Sequence, residues 1–107
     1  MLITYGQGEF IESSQRFKGR IMMNDNRLYL EDGEGDIAAT YIPLEKIIKV
    51  RRTMGGLDLR IRASMVREYR ALIKGSFRSL NDLTRDLVNK RNLRKKFLWP
   101  EWFDESA

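Results

Sequence analysis

The chain contains no cysteine and no histidine. Without a thiol it can form neither a disulfide framework nor a thiolate metal site. It also cannot assemble a Ser-His or Cys-His nucleophile, and it has no Gly-Lys-Ser/Thr of a phosphate-binding loop. Paired carboxylates remain open as acid/base groups, although no spacing favours them. We therefore expect a protein that is not an enzyme and needs no cofactor.

Long apolar runs are also missing, since the longest span three residues, as in Ile21–Met23. A membrane-spanning helix needs about 20, and the first five residues are too few for the apolar region of a secretory signal. We expect a soluble, cytoplasmic protein with no transmembrane segment, and we leave peripheral membrane association open.

One acidic stretch resembles a calcium loop because Asp32, Glu34 and Asp36 occupy alternate positions. A calcium loop of the EF-hand type needs glycine at its sixth position and glutamate at its twelfth, where this chain has Ile37 and Pro43. We therefore predict an acidic hairpin tip and no metal site.

Charge is distributed unevenly along the chain. Residues 1–44 hold four Lys/Arg and seven Asp/Glu, a net −3, whereas residues 45–107 hold 16 and eight, a net +8. A basic second half favours an anionic partner such as lipid headgroups, nucleic acid or an acidic protein, although interspersed charges also form ordinary solvated surfaces.

Apolar and polar residues alternate along most of the chain, which is typical of half-buried strands. Turn residues separate these segments at the spacing of an all-β barrel or sandwich. The first predicted strand is residues 2–12, and its glycines indicate a bulge. The next five are Arg16–Met23, Arg27–Glu31, Ile37–Ile42, Lys46–Thr53 and 57–62. In the seventh, Tyr69, Ala71 and Ile73 face inward.

The period changes after Gly75, and the pattern predicts one helix over residues 78–91. Ser79 and Asp82 are spaced almost as in a capping box, which places the helix N-cap at Ser79. An apolar stripe follows on one face, formed by Leu80, Leu83, Leu87 and Val88.

Three stretches carry a resemblance to a known fold. They are residues 17–30 (FKGRIMMNDNRLYL), 42–47 (IPLEKI) and 68–72 (EYRAL). The chain resembles the pleckstrin-homology superfold, in particular its small GRAM-like and bacterial pleckstrin-homology-like members. That resemblance implies a mainly β fold, a seven-stranded antiparallel bent barrel of two near-orthogonal sheets capped by one C-terminal helix. Residues 1–92 would form this domain, and residues 93–107 a basic and aromatic tail that belongs to it or contacts a partner.

The resemblance implies one candidate ligand site on the second strand. Phosphoinositide-binding pleckstrin-homology domains use a Lys/Arg-x-Arg there, which Lys18 and Arg20 resemble, with Arg16 just upstream and Arg27 on the next strand. No Lys or Arg occurs in residues 1–12 to match the family's first-strand cation. We expect this site to give weak, salt-sensitive binding to anionic lipids.

The tail provides a second candidate site, for a protein partner or a second copy. Four aromatic residues occur within seven positions: Phe97, Trp99, Trp102 and Phe103. Aromatic side chains seldom remain in water, so the tail should either pack on its own barrel or anchor a neighbouring protein. An interaction module that binds proteins or self-associates is our first expectation.

Nucleic-acid binding is the least favoured alternative. Six basic residues could form an outward stripe across strands five to seven: Lys49, Arg51, Arg60, Arg62, Arg70 and Lys74. Single-strand binders interleave such charge with exposed aromatic residues, and here only Tyr69 is available, in an inward register.

Overall fold

Strands form most of the structure, a computed structural model that describes residues 1–32, 37–95 and 102–105. The first four strands are β1 (Ile3–Glu12), β2 (Gln15–Met23), β3 (Arg27–Glu31) and β4 (Ile37–Pro43). A 3-10 turn at Leu44–Lys46 leads into β5 (Ile47–Thr53), β6 (Gly56–Arg62), β7 (Glu68–Gly75), the helix α1 (Phe77–Arg91), and two short strands, β8 (Arg94–Lys95) and β9 (Phe103–Asp104). The predicted mainly β fold with one C-terminal helix is confirmed.

The strands form one hydrogen-bonded antiparallel sheet in the order β4-β3-β2-β1-β7-β6-β5-β9-β8. Hydrogen bonding is continuous between the two halves because β1 pairs with both β2 and β7. A turn of only three residues joins β4 to β5, yet these two strands lie at separate places in the sheet order. The sheet therefore curls back on itself and stays open between β4 and β5. Two short strands, β8 and β9, add to the seven that the sequence predicts.

The bulge predicted from glycines in the first strand is present. The pairing of β1 with β2 shifts between Thr4 and Gln7, and Gly6 adopts φ 82° there. This conformation is accessible to glycine at little cost and strained for other residues. The bulge lies close to the helix, since a Cβ on Gly6 would be 3.7 Å from Ser79 Oγ.

The helix begins at Phe77, and its N-cap is Ser76. The Ser76 hydroxyl accepts a hydrogen bond from the Ser79 backbone N–H at 3.1 Å. The prediction of Ser79 as N-cap is therefore wrong by one turn. Two serines three residues apart both satisfy the cap preference, so local sequence does not decide between them.

The helix packs its apolar stripe against the concave side of the sheet. Leu80, Leu83 and Leu87 are buried, and Val88 packs against the same cluster, as predicted. The core also receives side chains from the described strands, among them Phe10, Ile21, Leu28, Leu30, Ile42, Ile47, Leu57, Leu59, Ile61 and Ile73. Among the described residues no helix is both long and apolar enough to cross a membrane.

A partly buried hydrogen bond links the helix to the first strand. The Tyr5 hydroxyl donates to Asp86 Oδ2 at 2.7 Å. Burial of the phenol, followed by this hydrogen bond to a carboxylate, raises the pKa of Tyr5 well above its usual value of 10.0. The bond therefore requires the neutral phenol.

One predicted inward residue is more exposed than expected. Ala71 and Ile73 are buried, but Tyr69 on the same face of β7 keeps 38% of its surface exposed. It is the second residue of its strand and lies next to the exposed loop between β6 and β7. Alternation identifies the face of a strand, whereas burial depends on what covers that position.

Candidate functional site

The basic residues predicted to bind a ligand on β2 lie on one face of the strand and are exposed. Arg16 Nη1 is 3.1 Å from Glu9 Oε1, and Arg20 Nη1 is 3.6 Å from Glu31 Oε1. Lys18 lies opposite Glu9 in the strand register. Carboxylates are thus interspersed among these three cations.

The fourth predicted residue, Arg27, lies at the far end of the β2–β3 hairpin. Its guanidinium carbon is 4.8 Å from the centre of the Tyr41 ring. Arg20 pairs with Glu31, which is four positions from Arg27 and so about 13 Å away along the strand. The four predicted cations therefore do not converge on one point.

The C-terminal tail returns to the sheet and adds a strand at β5. Phe103 pairs with Val50, and Asp104 pairs with Lys49. The Glu105 backbone N–H donates to the Ile48 carbonyl at 3.0 Å. Phe97 and Trp99 lie outside the described residues, so the structure bears only on Trp102 and Phe103.

Trp102 contacts three basic side chains and is only 7% exposed. The distances from its ring centre are 4.5 Å to Arg51 Cζ, 5.1 Å to Lys49 Nζ and 5.5 Å to Arg60 Cζ. The register explains this grouping, since Lys49 and Arg60 are cross-strand partners and Arg51 is on the same face. The negative face of an indole attracts cations, so the ring stabilises neighbouring charges that would otherwise repel.

Two of these arginines depend on the ring in a further way. The Nε atoms of Arg51 and Arg60 are buried and have no hydrogen-bond partner within residues 1–32, 37–95 and 102–105. A buried N–H without a partner is destabilising. The Trp102 ring lies within 5.5 Å of both guanidinium carbons, where its face can accept a weak N–H···π contact.

A buried carboxylate lies on the same face of the sheet, since Asp58 is the cross-strand partner of Arg51. Asp58 has no exposed area and lies 3.4 Å from Arg51 Nη2 and 3.0 Å from Arg70 Nε. Its two partners come from β5 and β7, on either side of its own strand. Sequence alternation identified Asp58 only as an outward polar residue, and nothing local indicated that arginines would bury it.

Glu105 joins the sheet to the helix. Its carboxylate contacts Arg62 on β6 and, at 2.8 Å, Arg91 Nη2 on α1. Arg91 Nε also donates to the Ile47 carbonyl at 3.2 Å. We call the set Lys49, Arg51, Arg60, Arg62 and Arg91, with the outer edge of β5, the tail-binding surface.

The predicted basic stripe is thus largely brought together by the fold. Five of its six members contact Trp102, Asp58 or Glu105, whereas Lys74 lies opposite Glu9 on a different part of the sheet. Sequence reasoning missed that acidic residues at 104 and 105 follow the aromatic ones and match this stripe. Asp104 and Glu105, directly after the aromatic residues, were the sequence signal that could have indicated contact between the tail and the basic stripe.

A shallow groove continues beyond the tail-binding surface, between the end of β5 and the start of α1. Its volume is about 600 Å³, and its lining consists of Arg52, Thr53, Met54, Phe77 and Asn81. Arg52 Nε donates to Asn81 Oδ1 at 3.1 Å, and the Phe77 ring is 75% exposed. The groove thus offers both an apolar and a polar wall.

No protein-family model matches the chain, and no curated protein matches it significantly.

Proposed function

We propose that this chain is a non-enzymatic interaction module of the pleckstrin-homology-like type, which binds a protein partner or a second copy of itself. The observation that carries the proposal is the edge of β5, which accepts an extended segment at Lys49 and Val50. Strand addition at an exposed edge is a common mode of peptide recognition, in which backbone hydrogen bonds give affinity and side-chain pockets give specificity.

The architecture supports the pleckstrin-homology-like part of the proposal. Seven successive antiparallel strands precede a single helix, and the sheet opens between β4 and β5. In this proposal β1–β4 and β5–β7 are the two near-orthogonal halves of a bent barrel. The helix stripe of Leu80, Leu83 and Leu87 closes one end of it.

Among the described residues, β5 extends past its pairing with β9, and the groove lies beside this part of the strand. Arg52 and Thr53 of β5 pair with Leu57 and Gly56 on one side, while the described pairing with β9 stops at Val50. Exposed Met54 and Phe77 lie beside this part of the edge. A partner strand would find an apolar wall and basic side chains together here.

The two alternatives receive less support. For anionic lipids, the candidate cations Arg16 and Arg20 each contact a carboxylate, and Arg27 is remote from them. Such a distribution favours weak adhesion and not coordination of one headgroup. For nucleic acid, most of the basic stripe already contacts aromatic or acidic side chains.

The proposal can be tested with peptides selected from a random display library on the immobilised full chain. Bound peptides should shift backbone amide signals of residues 48–53 and 77–84 in nitrogen-15 NMR spectra, and light scattering should report any concentration-dependent dimer. Vesicles with 30% anionic lipid serve as the comparison. Shifts confined to β2, or co-sedimentation with those vesicles that Arg20→Glu abolishes, would instead support the lipid alternative and contradict this proposal.

A further inference from the structure

We infer that residues 102–105 are a built-in ligand of the tail-binding surface, and that its partner is an extended acidic peptide with the same chemistry. The partner would carry an aromatic residue, followed two and three positions later by carboxylates, as Asp104 and Glu105 follow Trp102. This inference rests on the proposed function and adds the identity of the ligand and its competition with the chain's own segment.

The aromatic position is specified by three cations and two buried N–H groups. Lys49, Arg51 and Arg60 all lie within 5.5 Å of the Trp102 ring centre. An aliphatic side chain would exclude water from these groups without offering a negative face. A carboxylate at this position would lose the apolar contact area of Trp102, a residue that is only 7% exposed.

The acidic positions are specified by charge on two different elements. Glu105 bridges Arg62 on the sheet and Arg91 on the helix. Asp104 is 4% exposed and lies between Lys49 and Arg94 in the strand register. Neutral side chains here would leave a cluster of like charges, so the surface selects acidic peptides.

The backbone fixes the order of these side chains. Antiparallel pairing with β5 sets Phe103 opposite Val50 and directs Phe103 toward the core, while residues on either side of it in the segment face the cations. A peptide that runs in the opposite direction would exchange the aromatic and acidic positions. The surface should therefore read the sequence in one direction.

Competition follows from covalent attachment. A tethered segment acts at an effective concentration on the millimolar scale, so a free peptide of the same sequence should bind the intact chain weakly. Releasing the segment should strengthen that binding by roughly 10- to 100-fold.

The test uses a fluorescein-labelled peptide of residues 100–107 and the full chain, with anisotropy as the readout. The proteins are wild type, Trp102→Ala, and Glu105→Gln as a second releasing variant in case Trp102→Ala folds poorly, which circular dichroism reports. Matched control peptides carry Trp102→Ala, or Asp104→Asn with Glu105→Gln. Matched control proteins add Arg51→Gln, or Arg16→Gln on β2, to the releasing variant.

We expect tight binding only between the unmodified peptide and a releasing variant. That binding should be lost when Arg51→Gln is added or in 0.5 M salt. It should not change when Arg16→Gln is added. A wild-type dimer by light scattering that Trp102→Ala abolishes would also support the inference, because the segment then binds in trans. Equal binding by wild type and both releasing variants, equal binding of the neutral peptide, or displacement by a single-stranded oligonucleotide would overturn it. Library peptides that bind the β5 edge without the aromatic and acidic pattern would refute this inference but leave the proposed function intact.

Discussion

Replacing Trp102 by alanine measures how strongly the tail is held on the sheet. A tryptophan side chain buries about 150–250 Å², and Trp102 is 7% exposed. At about 25 cal/mol per Å² the ring contributes about 4–6 kcal/mol of transfer free energy as an upper bound. Cation–π contacts with Arg51 and its neighbours add to this by about 0.5–1 kcal/mol each where partly exposed.

The expected loss is smaller because residues 102–105 can detach as a unit. Their docking free energy sets the largest penalty that the substitution can impose on folding. Ordering each residue opposes docking by about 1–2 kcal/mol, which for four residues removes much of the gain. We expect Trp102→Ala to lower the free energy of unfolding by about 2–3 kcal/mol, somewhat below the 3–5 kcal/mol typical of a core tryptophan.

Urea unfolding followed by far-ultraviolet circular dichroism provides the measurement. With a slope of about 2 kcal/mol per M, within the usual range for urea, the midpoint should fall by about 1–1.5 M. Met65→Ala is the matched control, because Met65 is fully exposed and its loss should change stability by less than about 0.5 kcal/mol. A Trp102→Ala effect as small as the control would refute the docking. A loss above about 5 kcal/mol would refute detachment as a unit.

Three further predictions concern the rest of the fold. Because the pKa of Tyr5 is raised in the folded state, the stabilisation by its neutral phenol is present below pH 10 and is lost as the pH rises. Between pH 10 and 11.5 the free energy of unfolding should therefore fall more steeply for wild type than for Tyr5→Phe, by up to about 1.4 kcal/mol per pH unit. Parallel curves for the two proteins would contradict this prediction. Gly56 has φ 146°, and a Cβ there would lie 2.4 Å from a backbone oxygen, so Gly56→Ala should lower the free energy of unfolding by about 2 kcal/mol or more. Gly55→Ala is its control, because a Cβ on Gly55 would come no closer than 3.8 Å to a neighbouring atom. Equal thermal midpoints for the two variants would count against the turn geometry. Ser76→Ala should lower the free energy of unfolding by about 1 kcal/mol through loss of the N-cap. The thermal midpoint should fall less for Ser79→Ala. The reverse order would support Ser79 as the N-cap, as predicted from sequence.

Most of the fold could be predicted because its signals are local. The strand Arg27–Glu31 is as predicted, and the helix differs by one residue at its start. Alternation and the helical stripe depend only on neighbours in sequence. The exceptions, Ser76 in place of Ser79 and the exposure of Tyr69, arise where two local solutions fit equally or where covering elements decide burial.

The candidate site was predictable only as separate pieces. The basic stripe on strands five to seven and the aromatic tail were both recognisable in the sequence. Their contact was not, because Arg51 and Trp102 are 51 positions apart and no periodicity connects them. On β2 the reverse holds, since the alternation grouped Arg16 and Arg20 correctly on one face while Glu9 and Glu31 were placed beside them by strand pairing.

The amino-acid sequence by itself determined the mainly β pattern, the helix with its leucine stripe, and a chemistry without thiol or imidazole, because each of these follows from residue type and short-range spacing. Tertiary structure alone decided which charges meet. The β5–β6 register brings Lys49 beside Arg60, and docking of residues 102–105 places an indole and a carboxylate over them. Those contacts depend on pairing between distant segments, whose energy is set by the whole sheet and not by any one stretch of chain.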